Sequence, residues 1–510
     1  MRSRFAMRSA AAAAFAWMGV VSAQAEAAPR AHIDTGVVVG LERGPAEVFL
    51  GIPYAAPPTG PLRWKPPAPA ASWASERPAT APPPACPQKV NANGTGNVGG
   101  YAGPISEDCL TLDVTAPKGA KRAPVMVWIY GGGNIGGATN LTSLDGRNFA
   151  RDGVVLVAMN YRLGPFGFFA HPALTAEAAA GQPLGSYGLM DQIAALKWVK
   201  RNIAAFGGDP SNVTIFGESA GGIDVLALLN APSARGLYKK AIVESGAGWD
   251  APITLAQAEA KGAAVAGKLG LSSASATALE LRALPMDKLL GTITEMSFPI
   301  VDGRLLKEGT AQGFARGHAN PVPLIIGSNS DEATLMSAFG LNAKAVVTQA
   351  SAAMRTAYAS DAATESNQGR MMFNDQNMGA PARWIARKQS MKAPAWLYYF
   401  SYVPERQRSA RPGAAHASEI VFAFDSIDAI PGRTPLITPG ERAQATLMHS
   451  CWVGFAKTGR PTCGGQPWPA YNPASDQLLE FGEPAGVRAH FRKPQLDAQE
   501  AAAAAIIGAK

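Results

Sequence analysis

The stretch TIFGESAGG, Thr214–Gly222, decides how the chain is read. Gly217 and Gly221 bracket Ser219 in a G-x-S-x-G pattern, which is weak by itself in a chain carrying 54 glycines among 510 residues. The flanks give it meaning. Upstream, NVTIF is continuously apolar and β-branched, as a strand covered on both faces requires. Downstream, GIDVLALLN reads as a helix. Ser219 therefore falls at a strand-to-helix junction, where a sharp turn lifts the hydroxyl clear of the backbone and only small residues tolerate the crowding. The helix N-terminus behind it favours negative charge developing near the serine.

The same alternation extends outward. VMVWIY (Val125–Tyr130), VVLVAMNY (Val154–Tyr161), KKAIVES (Lys239–Ser245), VPLIIG (Val322–Gly327) and AWLYYF (Ala395–Phe400) are further buried-strand candidates. Between them, Ile193, Leu196, Val199, Ile203 and Phe206 fall at helical spacing, and that helix ends at GGDP. Strand–helix alternation predicts an α/β fold with a largely parallel sheet. No repeat and no Ser/Gly or charged linker divides the chain, and apolar residues at 47% suffice for one large core.

At the N-terminus, basic MRSRFAMR precedes apolar SAAAAAFAWMGVV and small-residue SAQAEA. This order predicts an export signal over residues 1–25, cleaved after Ala25 or, as second choice, after Ala27. Residues 26–510 then form a single domain, periplasmic or extracellular. No other segment is long enough to span a bilayer, so no membrane anchor is expected. The net charge of +8 is scattered without interleaved aromatics, which argues against a nucleic-acid partner. Four cysteines in an oxidising compartment imply two bridges among three possible connectivities. Short separations favour Cys86–Cys109 and Cys451–Cys463.

A serine is inert near neutral pH without a base, and the base needs an orienting acid. Four histidines follow Ser219, and His416, His449 and His490 are the ones weighed as the base. His449 lies inside the helical run ERAQATLMHSCWVGFAK, where packing is its expected fate, and His490 comes after the last convincing strand. His416, in RPGAAHASE, occupies a loop after AWLYYF and is the candidate base. For the acid, VPLIIGSNSDEA puts Asp331 and Glu332 on one loop, with Asp302 in FPIVDGR as the rival; spacing does not choose between Asp331 and Glu332. WIYGGGNIGG places three glycines after a buried strand, where bare N–H groups can converge on one oxygen.

These stretches together make the chain resemble the type-B carboxylesterases, a branch of the α/β-hydrolase superfamily that includes cholinesterases and p-nitrobenzyl esterases. The resemblance runs from FLGIPYAAPPTGPLRWKPP (Phe49–Pro67) to WPAYNPASDQLLEF (Trp468–Phe481), with SEDCLTLDV (Ser106–Val114) and GGDPSNVTIFGESAGG (Gly207–Gly222) its most specific parts. It implies the α/β-hydrolase fold, with helical insertions around an active-site gorge, and ester hydrolysis through an acyl-enzyme. The family's DEG motif matches DEA here, implying Glu332 as the acid. HGxE matches HASE, implying His416 as base and Glu419 as a supporting carboxylate. In each motif an alanine replaces a glycine. The implied oxyanion donors are the N–H groups of Gly132, Gly133 and Ala220, and Glu218 and Ser245 match positions that support the triad. Cys86–Cys109 matches the family's first disulfide; Cys451–Cys463 is particular to this chain.

Departures bear on substrate. The loop PQKVNANGTGNVGGYAGPI lacks the tryptophan that receives choline in cholinesterases, so a choline ester is not expected. Asn134 stands where an aromatic or aliphatic residue is common, which predicts a more polar acyl side. Arg406, Arg408 and Arg411 precede His416; if they line the entrance rather than a solvated loop, anionic esters such as fumonisin-type polycarboxylates become candidates. Lactones, carbamates and amides could use the same chemistry. A catalytically silent, cholinesterase-like binding protein is the remote alternative. No metal or organic cofactor is expected.

Overall fold

The computed structural model describes residues 28–249, 251–273 and 275–507, so the predicted signal segment and both cleavage positions lie outside the described residues. Eleven strands make one sheet. In chain order they are β1 (Leu41–Arg43), β2 (Ala46–Pro53), β3 (Thr111–Pro117), β4 (Ala123–Ile129), β5 (Val155–Met159) and β6 (Gly208–Glu218). They continue as β7 (Lys240–Glu244), β8 (Leu324–Asn329), β9 (Ala395–Phe400), β10 (Gln477–Phe481) and β11 (Gly486–Ala489). Across the sheet the order is β1-β2-β3-β5-β4-β6-β7-β8-β9-β10-β11. From β5 to β10 every neighbouring pair is parallel. The pairs β1–β2, β2–β3, β3–β5 and β10–β11 are antiparallel.

The apolar runs read from sequence are the parallel strands. Every residue of β5, β7 and β8 is buried, because helices cover both faces. The antiparallel edge was not legible in the same way. In β3 the buried Asp113 interrupts the apolar run and accepts a 2.7 Å hydrogen bond from the Gly51 N–H. Helix α1 (Tyr187–Asn202) runs into a 3₁₀ turn at Ile203–Phe206 and stops at Gly207, whose φ of 76° is left-handed. That is the stop expected at GGDP. Helix α2 (Ala220–Asn230) follows β6 directly, α3 is Leu255–Lys268, and α4 is Pro439–Thr458. Both cysteine pairs are bridged as spacing favoured, Cys86 to Cys109 and Cys451 to Cys463.

Parallel strands deliver their connecting loops to the same edge of the sheet, and such edges hold the sites of α/β proteins. Here the loops after β4, β6, β7, β8 and β9 carry the Gly132–Gly133 pair, Ser219, Ser245, Glu332 and His416 in that order. The turn after β6 is the tightest of them. A β-carbon on Gly217 would stand 2.6 Å from the Ile129 carbonyl oxygen at the end of β4, and one on Gly221 would stand 2.0 Å from the same oxygen. The glycines of the motif are required because backbone meets backbone there.

Gly221→Ala should therefore force β4 and α2 apart, destabilising the fold by roughly 3 kcal/mol or more. A thermal melt with parent-like midpoint and yield would contradict this account of the turn.

Candidate active site

Ser219 has φ 56° and ψ −124°, a conformation that non-glycine residues adopt rarely and only where the surroundings impose it. The elbow is pinned from both sides. The Ser219 N–H donates to the Glu244 carbonyl at 2.9 Å, and the Ser219 carbonyl accepts from the Ile223 N–H at 2.9 Å. Its side chain is left half-buried at the head of α2.

His416 and the loop after β8 are zipped together. Asp331 forms an isolated parallel bridge with Ala415, and the His416 N–H donates to Thr334 Oγ1 at 3.1 Å. This brings His416 Nδ1 to 2.6 Å from Glu332 Oε2. The other carboxylate oxygen of Glu332 accepts from Ser245 Oγ at 2.6 Å and from the Asn329 N–H at 2.7 Å. Glu332 is wholly buried and fully bonded, as a carboxylate held to orient an imidazole must be. Asp331 turns the other way, into an ion pair with Arg370. The rival Asp302 is spent on backbone, accepting from the N–H groups of Leu184, Arg304, Leu305 and Leu306. His449, in α4, is buried against Phe149, and His490 follows β11 with a left-handed φ; among the described residues neither is bonded to Glu332.

The far side of the imidazole meets a second carboxylate. His416 Nε2, the nitrogen left free by the Glu332 contact, lies 3.1 Å from Oε1 of Glu218, the residue directly before Ser219. Among the described residues no hydrogen bond joins Ser219 Oγ to His416; in the absence of substrate such bonds are commonly long. Burial works to lower the His416 pKa, but the charges of Glu218 and Glu332 outweigh it and hold it up at about 10. Burial likewise pushes Glu218 up to about 7, opposed by His416 and reinforced by Glu332. Glu419 sits in the same pocket of charge, with Oε2 taking a hydrogen bond from Asn329 Nδ2 and Oε1 unpartnered; burial and the neighbouring Glu218 raise it well above the carboxylate range.

Two residues of this network were not read from the sequence. Glu244, fully buried at the end of β7, accepts from Trp452 Nε1 at 2.9 Å and is pushed up to about 8 by burial. A glutamate inside the apolar run KKAIVES was the available signal. Asn329 ties the acid loop to the histidine loop through Ala415 O at 2.9 Å, and nothing in its local sequence marks it.

Gly132 and Gly133 take left-handed φ values of 92° and 65° beside the elbow, and Ala220 opens α2, so its N–H has no intrahelical acceptor. The Gly133 carbonyl accepts from the Ser297 N–H at 2.9 Å, and Met296 packs against Gly133. Met296 also lines a cavity of about 380 Å³ with Phe168, Phe169, Val265 of α3 and Phe298. A second apolar cavity of about 290 Å³ shares Phe298 and reaches Ile223, one turn beyond Ser219. Among the described residues no group of three or more His, Cys, Asp or Glu is arranged to hold a metal ion.

The chain matches the profile of the Carboxylesterase family over residues 27–499. The chain belongs to the carboxylesterase family. It is 35% identical over 481 residues to the fumonisin B1 esterase of Sphingopyxis macrogoltabida, covering 89% of this chain and 86% of the relative. It is 36% identical over 469 residues to the para-nitrobenzyl esterase of Bacillus subtilis, covering 87% and 93%. A solved carboxylesterase of Geobacillus stearothermophilus superposes with TM-score 0.80 at 30% identity, over 92% of this chain and 99% of that one. The fold is thus the α/β-hydrolase fold, and the protein is a carboxylic ester hydrolase.

Within this carboxylesterase the two alanine departures have different standing. Ala417 beside His416 has φ 63°, so the family's glycine there answers a left-handed turn, and alanine carries about 1 kcal/mol of strain. Ala333 is the second residue of the 3₁₀ helix Glu332–Phe339, with its N–H bonded to Asn374 Oδ1 at 2.7 Å, a conformation any residue accepts. Asn134 and the three arginines bear on the substrate expectations. Asn134, expected to make the acyl side more polar, is fully buried with its amide turned to Asp224, and it lines neither cavity. Arg406 and Arg408 are taken up by Glu441 and Glu483, and Arg411 lines a separate cavity of about 180 Å³ behind the histidine loop.

Glu332→Gln should lower kcat at least about a hundredfold, whereas Asp331→Asn should stay within roughly tenfold of the parent; the reverse outcome would make Asp331 the acid. The pH profile offers a second check. If His416 is the base it must be neutral to act, so its raised pKa keeps it protonated to higher pH, and kcat/KM should climb with pH through that ionisation. Glu218→Gln removes the charge facing Nε2 and should move this acid limb down by about one pH unit or more. A limb that stays fixed or moves upward would show that Glu218 does not hold the proton.

Proposed function

We propose that the protein is an exported serine carboxylesterase acting by double displacement, with Ser219 as nucleophile, His416 as general base and Glu332 as the acid that orients it. The observation carrying this reading is the 2.6 Å contact of His416 Nδ1 with the buried Glu332, on a loop facing the Ser219 elbow. That contact selects the tautomer in which Nε2 is free to accept a proton. His416 takes the Ser219 proton as Oγ attacks the ester carbonyl. The oxyanion is held by the N–H groups of Gly132, Gly133 and Ala220, each worth roughly 3 kcal/mol to the transition state. His416 then protonates the departing alcohol, and a water, deprotonated by the same imidazole, releases the acid and restores the hydroxyl. Glu218 and Glu332 both favour the imidazolium that forms.

For substrate, the apolar lining of the cavity beside Gly133 supports an ester with one bulky apolar group. A polycarboxylate ester, as the name of the Sphingopyxis relative suggests, would need cationic partners. Of the three arginines considered, Arg406 and Arg408 are already engaged, which leaves Arg411 to carry that reading. Export as a single catalytic domain behind residues 1–25 is supported by the N-terminal pattern and by two disulfides, which persist in oxidising compartments. Among the described residues no helix is long and apolar enough to cross a membrane.

One experiment addresses chemistry and export together. Protein recovered after export, inactivated with a sulfonyl fluoride and mapped by mass spectrometry, should carry one adduct, on Ser219, in a chain beginning at Glu26. Full ester turnover by Ser219→Ala would end the mechanism. A panel pairing apolar with polycarboxylate esters then ranks the substrate classes.

A further inference from the structure

The proposed oxyanion donors come from two separate pieces of backbone, and a buried polar pair joins those pieces. Gly132 and Gly133 belong to the loop after β4, while Ala220 opens α2. Asn134 follows Gly133 directly, and Asp224 lies one turn along α2 from Ala220. Asn134 Nδ2 donates to Asp224 Oδ1 at 3.1 Å, and Gln192 Nε2 of α1 donates to Asp224 Oδ2 at 2.5 Å. Asn134 Oδ1 lies 2.9 Å from the Tyr161 hydroxyl, whose single hydrogen is shared with the Tyr130 carbonyl at 2.7 Å. The Asn134 carbonyl accepts from the Gly164 N–H at 2.6 Å. Asn134, Asp224, Gln192 and Tyr161 are all buried.

We propose that Asn134 and Asp224 are positioning residues that set the distance between the two halves of the oxyanion hole. This rests on the esterase mechanism above. Neither residue lines the two cavities beside the site, so both act through the backbone they hold. The chemistry of the pair argues for position rather than bulk. A carboxyl group inside the apolar helix AGGIDVLALLN is expensive to bury, and burial pushes Asp224 up to about 7 against the hydrogen bonds from Gln192 and Asn134. An apolar pair would fill the same space without that cost. What an apolar pair lacks is direction: a bonded network locks rotamers, and a site must be held within about 0.5 Å to act. Asparagine also tolerates the left-handed φ of position 134 better than a large apolar side chain.

The test uses purified full-length protein whose ester turnover and single Ser219 adduct have been measured first. Asp224→Ala removes the acceptor and keeps a helix former. Asp224→Asn keeps an oxygen for Asn134, and Gln192 can turn its amide to offer Oε1, which has no partner now. Asp224→Ala should lose roughly tenfold to a hundredfold in kcat, with KM within about threefold. Its affinity for a trifluoromethyl ketone, which adds to the serine and places an oxyanion in the hole, should fall by the same factor. Asp224→Asn should stay within about threefold on both measures. Asn134→Gly accepts the backbone conformation and should repeat the Asp224→Ala pattern, including where the latter does not fold. A folded Asp224→Ala or Asn134→Gly with parent-like kcat and ketone affinity overturns the inference, as does an Asp224→Asn as impaired as Asp224→Ala. A parent without ester turnover or Ser219 adduct would instead refute the mechanism beneath it.

Discussion

Everything at the site depends on one close approach of backbone to backbone. The Ile129 carbonyl at the end of β4 lies where β-carbons at both positions 217 and 221 would fall. Because glycine stands at each, β6 can turn sharply into α2 directly against its neighbouring strand. The loop after β4 then emerges beside the turn, and Ser219, the glycine pair and the head of α2 converge from elements far apart in the chain. Protein interiors are close-packed and transmit small displacements, so a turn opened by the width of a methyl group would move Ser219 and the proposed oxyanion donors apart together.

Around this turn the protein gathers carboxylates in an unusual density. Glu218, Glu244, Glu332 and Glu419 are all buried, and only Glu332 has both oxygens engaged by direct hydrogen bonds. Burial is the main cause of the raised values at Glu218, Glu244 and Glu419, and the charges of neighbouring carboxylates add to it. Glu332 takes the charge-supporting bonds, and the histidine sits between it and Glu218. The arrangement favours an imidazolium more strongly than an isolated histidine–acid pair would. For an acyl transfer that passes through that imidazolium, such a bias suits the transition state better than the resting enzyme.

The apolar cavities by Met296 and Phe298 complete the division of labour. Polar groups are concentrated in the strand ends and loops around Ser219, whereas the two cavities that reach Met296 beside Gly133 and Ile223 beyond Ser219 are lined chiefly by apolar residues. Binding sites for small molecules are commonly built in this way, with few polar groups fixing orientation in an apolar enclosure.

The sequence by itself determined the strand–helix alternation, the elbow at Ser219, the glycine loop and the cysteine pairing favoured by short spacing. Each of these is local: a period, a turn chemistry or a short loop carries it. It also narrowed the acid to two adjacent carboxylates and the base to a loop histidine. Residue spacing did not separate Asp331 from Glu332, and the family resemblance implied Glu332; the contacts that turn the two side chains apart involve Arg370, Ser245 and Asn329, which only the tertiary structure brings to them. Likewise, Asn134 read as a lining residue until Asp224, ninety positions away, was seen to hold it. The arginines read as a possible entrance charge until Glu441 and Glu483 were seen to occupy two of them. A sequence declares which side chains are polar, but which partner each one meets is fixed only when distant segments pack, and at a buried site the partner decides the chemistry.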